Sequence, residues 1–87
     1  MSDKAIVIEG SGPFRVLVRE GGSETRHEVS VSDAGGRDPA TLVRAAFAFL
    51  LDREPKEAIL ARFDLSVIPR YFPEFERELP RYLDRAQ

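Results

Sequence analysis

Hydrophobic and polar residues alternate in the first third of the chain, and this alternation predicts β-strands, because successive strand residues point to opposite faces. Three runs, KAIVIEG, PFRVLVRE and TRHEVSVS, occupy residues 4–10, 13–20 and 25–32. Glycines lie between them, as expected at turns. The predicted inward face of the second and third strands carries Phe14, Val16, Val18, His27, Val29 and Val31.

Gly21-Gly22 is predicted to form a two-residue hairpin loop, where both positions favour positive φ. A three-residue loop would shift one strand and mix the two faces. A four-residue loop would keep the faces but place Arg19 opposite Arg26, two like charges. The two-residue loop is favoured, and it pairs Glu20 with Ser23, Arg19 with Glu24, Val16 with His27, Arg15 with Glu28, and Phe14 with Val29.

A long helix is predicted from Pro39 to Arg53. Asp38 is a good N-cap, and proline fits the first helical position. The apolar residues of this segment, including AAFAFLL, cover about half of the helix circumference. We therefore expect the helix to be covered on two sides, by the sheet and by either the C-terminal segment or a second copy of the chain.

The stretch RFDLSVIPRYFPEFERELPRY, residues 62–82, is rich in proline and aromatic residues. Proline suits the first turn of a helix. Pro55, Pro73 and Pro80 are therefore predicted to begin short helices, and Asp64 or Ser66 to cap another with Pro69 in its first turn. The helix from Pro55 would turn Ala58, Ile59, Leu60 and Phe63 inward. We expect the tail to be packed rather than displayed, with its buried side chains being Phe63, Leu65, Ile68, Phe72 and Phe75.

These elements predict an α+β fold in one domain, residues 1–87. Residues 1–36 form the sheet part, a small three-stranded antiparallel meander. Residues 37–87 form the helical part, one long helix followed by several short proline-initiated helices.

Composition excludes several functional classes. The chain has 87 residues and no cysteine, so disulfides and thiolate metal sites are ruled out. Its net charge of −2 provides no basic excess for binding phosphates. No apolar run approaches the roughly 20 residues that span a bilayer, and the start MSDKAIVIEG lacks the features of a signal peptide. We expect a cytoplasmic protein.

Candidate chemistry is sparse, and we expect no catalytic, cofactor or metal site. His27 is the only histidine, and its place on the valine face favours a structural role. The loop AGGRDPATL lacks the spacing of a phosphate-binding motif. Arg15, Arg19 and Arg26 share a sheet face without aromatic residues, which favours a surface of cross-strand ion pairs. The candidate interaction surface is the most polar part of the tail, Arg62, Asp64, Arg70 and Tyr71.

The stretch FLLDREPKEAILARFDLSVIPRYFPEFE, preceded by a two-strand run ending in HEVSVSD, resembles a group of short bacterial proteins of unknown function. The resemblance implies a small N-terminal sheet and a helical tail, and it brings no activity or cofactor. A looser similarity, in topology alone, is to HicB-type antitoxins, which place a β-ribbon ahead of a helix.

The function expected from the sequence is a non-catalytic protein–protein interaction or accessory module. Its partner would be another protein or a second copy of the chain, giving a homodimer. The alternative is an antitoxin-like regulator that contacts nucleic acid.

Overall fold

The predicted hairpin meander is present in the computed structural model, which describes residues 4–86. Strands β1 (Ala5–Gly10), β2 (Phe14–Glu20) and β3 (Ser23–Ser30) are antiparallel neighbours. The β2–β3 register is the one predicted for a two-residue loop, with Glu20 opposite Ser23. Gly21 has a φ of 62°, but the φ of Gly22 is not positive, so the expectation of positive φ at both loop positions holds only for Gly21. The valine face is buried and the arginine face is exposed, so the predicted assignment of faces is confirmed.

The prediction of a three-stranded antiparallel sheet is wrong in one respect: the sheet is mixed and has a fourth strand. Strand β4 (Arg62–Asp64) lies parallel to β3 at the sheet edge, in the part of the chain predicted to be helical. The helix expected from Pro55 is only a 3-10 turn, Lys56–Ala58. Beyond it the backbone is extended, and the N–H of Glu28 donates to the carbonyl of Ala61 at 2.8 Å. The open edge of β3 thus provides hydrogen bonds that replace those of the expected helix.

Helix α1 (Pro39–Leu51) lies between the sheet and the tail. Asp38 caps it by accepting from the N–H of Thr41 at 3.0 Å, so the predicted start is confirmed. Toward the sheet, the Phe47 ring lies 5.3 Å from the ring of His27. On the tail side, the buried Phe49 makes edge-on contacts with the rings of Phe72, Phe75 and Tyr82. The two-sided cover comes from the chain itself.

The tail packs onto α1 through short elements. Asp64 caps a 3-10 turn at Leu65–Val67, and α2 (Ile68–Tyr71) holds Pro69 in its first turn. The cap and the proline position are as predicted, but they belong to two consecutive elements rather than to one helix, and the N-cap of α2 is Val67. Leu65, Ile68 and Phe75 are buried, and Phe63 and Phe72 are partly buried.

The prediction that Pro80 begins a helix is wrong. Helix α3 (Phe75–Ala86) runs through Pro80 without a break. Pro80 removes the helical donor of the Glu76 carbonyl, and both residues lie on the exposed side of the helix. Within residues 4–86 no helix has the length and apolarity required to cross a membrane.

The contacts of Phe49 predict a large effect of truncation. Phe49→Ala removes a fully buried ring that touches three others, and we expect it to lower the free energy of unfolding by about 3–5 kcal/mol in urea denaturation. Tyr71→Ala is the control, because this aromatic side chain is 67% exposed, and its effect should stay within about 0.5 kcal/mol. Equal effects of the two substitutions would contradict a core built on Phe49.

Candidate functional site

A groove with mainly apolar walls lies between the C-terminal end of α1, the segment after it and α2. Its volume is about 380 Å³, which lies in the range of about 300–1,000 Å³ typical of ligand pockets. Among the described residues that line it, Glu54 is the only charged one. Its large apolar side chains include Leu50, Leu60, Phe63, Ile68, Tyr71 and Phe72.

The groove exists because the chain between the 3-10 turn and β4 is held extended. The Leu60 carbonyl bonds to His27, and the Ala61 carbonyl bonds to Glu28, so both residues are fixed to β3. This leaves the Leu60 side chain 48% exposed, although the helix predicted from Pro55 would have turned it inward. The prediction that Leu60 and Ala58 face inward is therefore wrong, since both are exposed. Ile59 is buried, as predicted.

His27 is the side chain that fixes this wall. It is 5% exposed, with Nδ1 2.7 Å from the Leu60 carbonyl oxygen and Nε2 2.9 Å from Oγ1 of Thr25. A carbonyl oxygen can only accept, so Nδ1 carries a proton; in the neutral ring Nε2 then accepts from the Thr25 hydroxyl. Both ring nitrogens are occupied by structural bonds, in agreement with the structural role predicted for this histidine.

Asp64, at the end of β4, accepts hydrogen bonds from three serines. Its carboxylate accepts from Oγ of Ser30 at 2.7 Å, from N and Oγ of Ser32, and from the N–H of Ser66 at 2.9 Å. Burial acts to raise the pKa of Asp64, but the hydrogen bonds from Ser30, Ser66 and Ser32 outweigh it and hold the pKa well below its usual range. The ionised carboxylate therefore fastens β4 and the following turn to the end of β3.

The four residues predicted as an interaction surface do not converge. Tyr71 lines the groove, whereas Arg62 and Asp64 border a separate shallow depression beside Pro13. Arg70 is exposed on α2 and lines neither of the two. The sequence analysis named Tyr71 but missed Leu60, because it placed Leu60 on the inward face of a helix beginning at Pro55. It did not single out Glu54.

The uncovered face of the sheet carries charges of alternating sign. Glu9, Arg15, Glu28 and Arg62 lie side by side across the four strands. The predicted Arg19–Glu24 pair is formed at 2.8 Å, while Glu28 pairs at 3.5 Å with Arg62 rather than with Arg15.

Across residues 4–86 no group of three or more His, Cys, Asp or Glu side chains is placed to hold a metal ion. Comparison of the chain with protein-family models, curated proteins and solved structures gives no match.

The hydrogen bonds of Asp64 predict a defined pH dependence. Its folded-state pKa lies below the value of about 3.9 in an unfolded chain, so ionised Asp64 stabilises the fold above about pH 4, and this contribution is lost as the pH falls further. Asp64→Asn should cost about 1–2 kcal/mol at pH 7 in urea denaturation. It should also lose less stability than the wild type between pH 7 and pH 3.

The matched control is Asp84→Asn, which removes an exposed aspartate of α3. This variant should keep the pH dependence of the wild type. An unchanged pH dependence in Asp64→Asn would contradict the role assigned to the Asp64 carboxylate.

Proposed function

We propose that this protein is a small, non-catalytic protein–protein interaction module whose groove binds a peptide segment of a partner protein. The observation that carries the proposal is the position of two side chains. Leu60 and Tyr71 are the only large hydrophobic residues exposed within residues 4–86, and both line the same groove. Exposed apolar side chains gathered in one concavity are typical of binding sites, whereas scattered ones are not.

The chemistry of the groove indicates what its occupant carries. Apolar walls favour apolar side chains, and a volume of about 380 Å³ suits an anchor of a few such groups rather than a large interface. Tyr71 offers an amphipathic ring of the kind enriched at protein interfaces.

Glu54 adds a charge preference. Its side chain is half-buried in the groove lining, and no ion pair to it occurs among the described residues. A basic side chain next to the apolar anchors would neutralise this carboxylate in a partly desolvated setting. We therefore expect the bound segment to combine apolar residues with an adjacent lysine or arginine.

An antitoxin-like contact with nucleic acid has less support. The uncovered sheet face carries four arginines, but Glu9, Glu24 and Glu28 alternate with them. Binding to phosphates requires a local excess of positive charge, which this alternation of arginines and glutamates does not provide.

Selection of a random peptide display library against the immobilised protein tests the proposal. We expect enrichment of peptides that place a basic residue beside two or more apolar ones. Tyr71→Ala and Leu60→Ala should each weaken a selected peptide at least ~10-fold, as expected for central interface residues. Glu54→Lys should remove the preference for the basic residue.

Leu17→Ala is the control, because Leu17 is a partly exposed apolar residue on the opposite side of the sheet. It should leave peptide affinity unchanged. Failure to enrich any peptide, or equal affinity of the wild type and Tyr71→Ala, would rule the groove out as the binding site.

A further inference from the structure

The two edges of the sheet differ in how they are protected. Natural sheets guard an edge strand by making it short or by placing charges on it, since open backbone groups attract another strand. Strand β4 meets both conditions, with three residues that include Arg62 and Asp64. Strand β1 is less protected, because it has six residues and its only charge, Glu9, lies near one end, which leaves the run Ala5–Ile8 apolar and uncharged.

The hairpin determines which β1 groups face outward. In a two-residue hairpin the closing residues form a hydrogen-bonded pair, and hydrogen-bonded pairs then recur at every second residue. Because Glu20 and Ser23 are the closing pair, the even-numbered residues of β2 form their backbone hydrogen bonds with β3. The odd-numbered residues of β2 form theirs with β1. Val7, opposite Leu17, bonds to β2, so the N–H and C=O of Ile6 and Ile8 point away from the sheet.

A contact from α1 agrees with this assignment. Arg44 donates to the carbonyl oxygen of Ile6 at 3.0 Å from outside the sheet. Within residues 4–86, no hydrogen bond from outside the sheet reaches the N–H or C=O of Ile8. The outer side of β1 is thus only partly covered.

We propose that β1 is a self-association surface, which pairs antiparallel with β1 of a second copy of the chain about a two-fold axis at Val7. Ile6 of each copy then lies opposite Ile8 of the other. Each pair exchanges two backbone hydrogen bonds, and the two four-stranded sheets join into one of eight strands. The second lone pair of the Ile6 carbonyl leaves the Arg44 bond in place.

The axis at Val7 follows from the outward groups. Only Ile6, Ile8 and Gly10 present them along β1, so an axis that pairs at least two of these residues falls on Val7, Ile8 or Glu9. An axis at Glu9 would pair Ile8 with Gly10 and would place Glu9 opposite Glu9 of the second copy, two like charges. An axis at Ile8 would pair Ile6 with Gly10, whose φ of 78° departs from extended geometry. With the axis at Val7, Glu9 lies opposite Ala5, and no like charges face each other across the new ladder.

A single cysteine tests this geometry, because the chain has none of its own. At the axis, Val7 faces Val7 of the second copy in a non-hydrogen-bonded pair, where the Cα atoms lie about 4.5 Å apart, within reach of a disulfide. Val7→Cys should therefore form a covalent dimer as its main product under mild oxidation. Leu17→Cys, on the same face but one strand inside the edge, should remain monomeric.

Light scattering at tens of micromolar gives a second readout that needs no oxidation. The wild type should have twice the 9.8 kDa mass of one chain. Val7→Lys brings two like charges together at the axis and should halve the measured mass, whereas Leu17→Lys should not, with folding of both checked by circular dichroism. A monomeric wild type, or equal cross-linking of the two cysteine variants, would overturn the proposal.

Discussion

Helix α1 is too apolar to pack on one layer, and this constraint organises the molecule. Eight of its residues are buried, and they point both toward the sheet and away from it. Phe47 meets His27 and Phe63 on the sheet side, while Phe49 meets three aromatic rings of the tail. A chain of 87 residues can build only a small hydrophobic core, so the tail provides the second layer that covers α1.

The groove is a consequence of how the tail reaches that position. The segment after α1 is held extended along β3, because His27 and Glu28 bond the carbonyls of Leu60 and Ala61. This arrangement supplies β4 with partners, but it leaves the Leu60 side chain outside the core. Tyr71, at the end of a four-residue helix, is exposed across the same concavity. The proposed binding surface is therefore built by the same backbone bonds that close the sheet.

Local signals explain which elements could be predicted from the sequence. The Gly21-Gly22 loop, the alternation around it and the Asp38-Pro39 start each depend on residues close together in the chain, and the structure follows them. Strand β4 could not be predicted in this way, since its pairing depends on an edge of β3 more than thirty residues away. The same failure placed Leu60 inside a helix, whereas Tyr71 was named because it lies in the most polar part of the tail. The position of Pro80 was predicted wrongly, because the surroundings of a proline, and not only the residue type, decide whether a helix tolerates it.

Native-state hydrogen exchange measures most directly whether the tail is an integral layer of the core. If α1 needs cover on both sides, amides of α3 near Tyr82 and amides of β2 near Val16 should exchange only through global unfolding, with the same opening free energy. Exchange of the α3 amides at a much lower opening free energy, with β2 still protected, would show that the tail docks independently and would contradict this account.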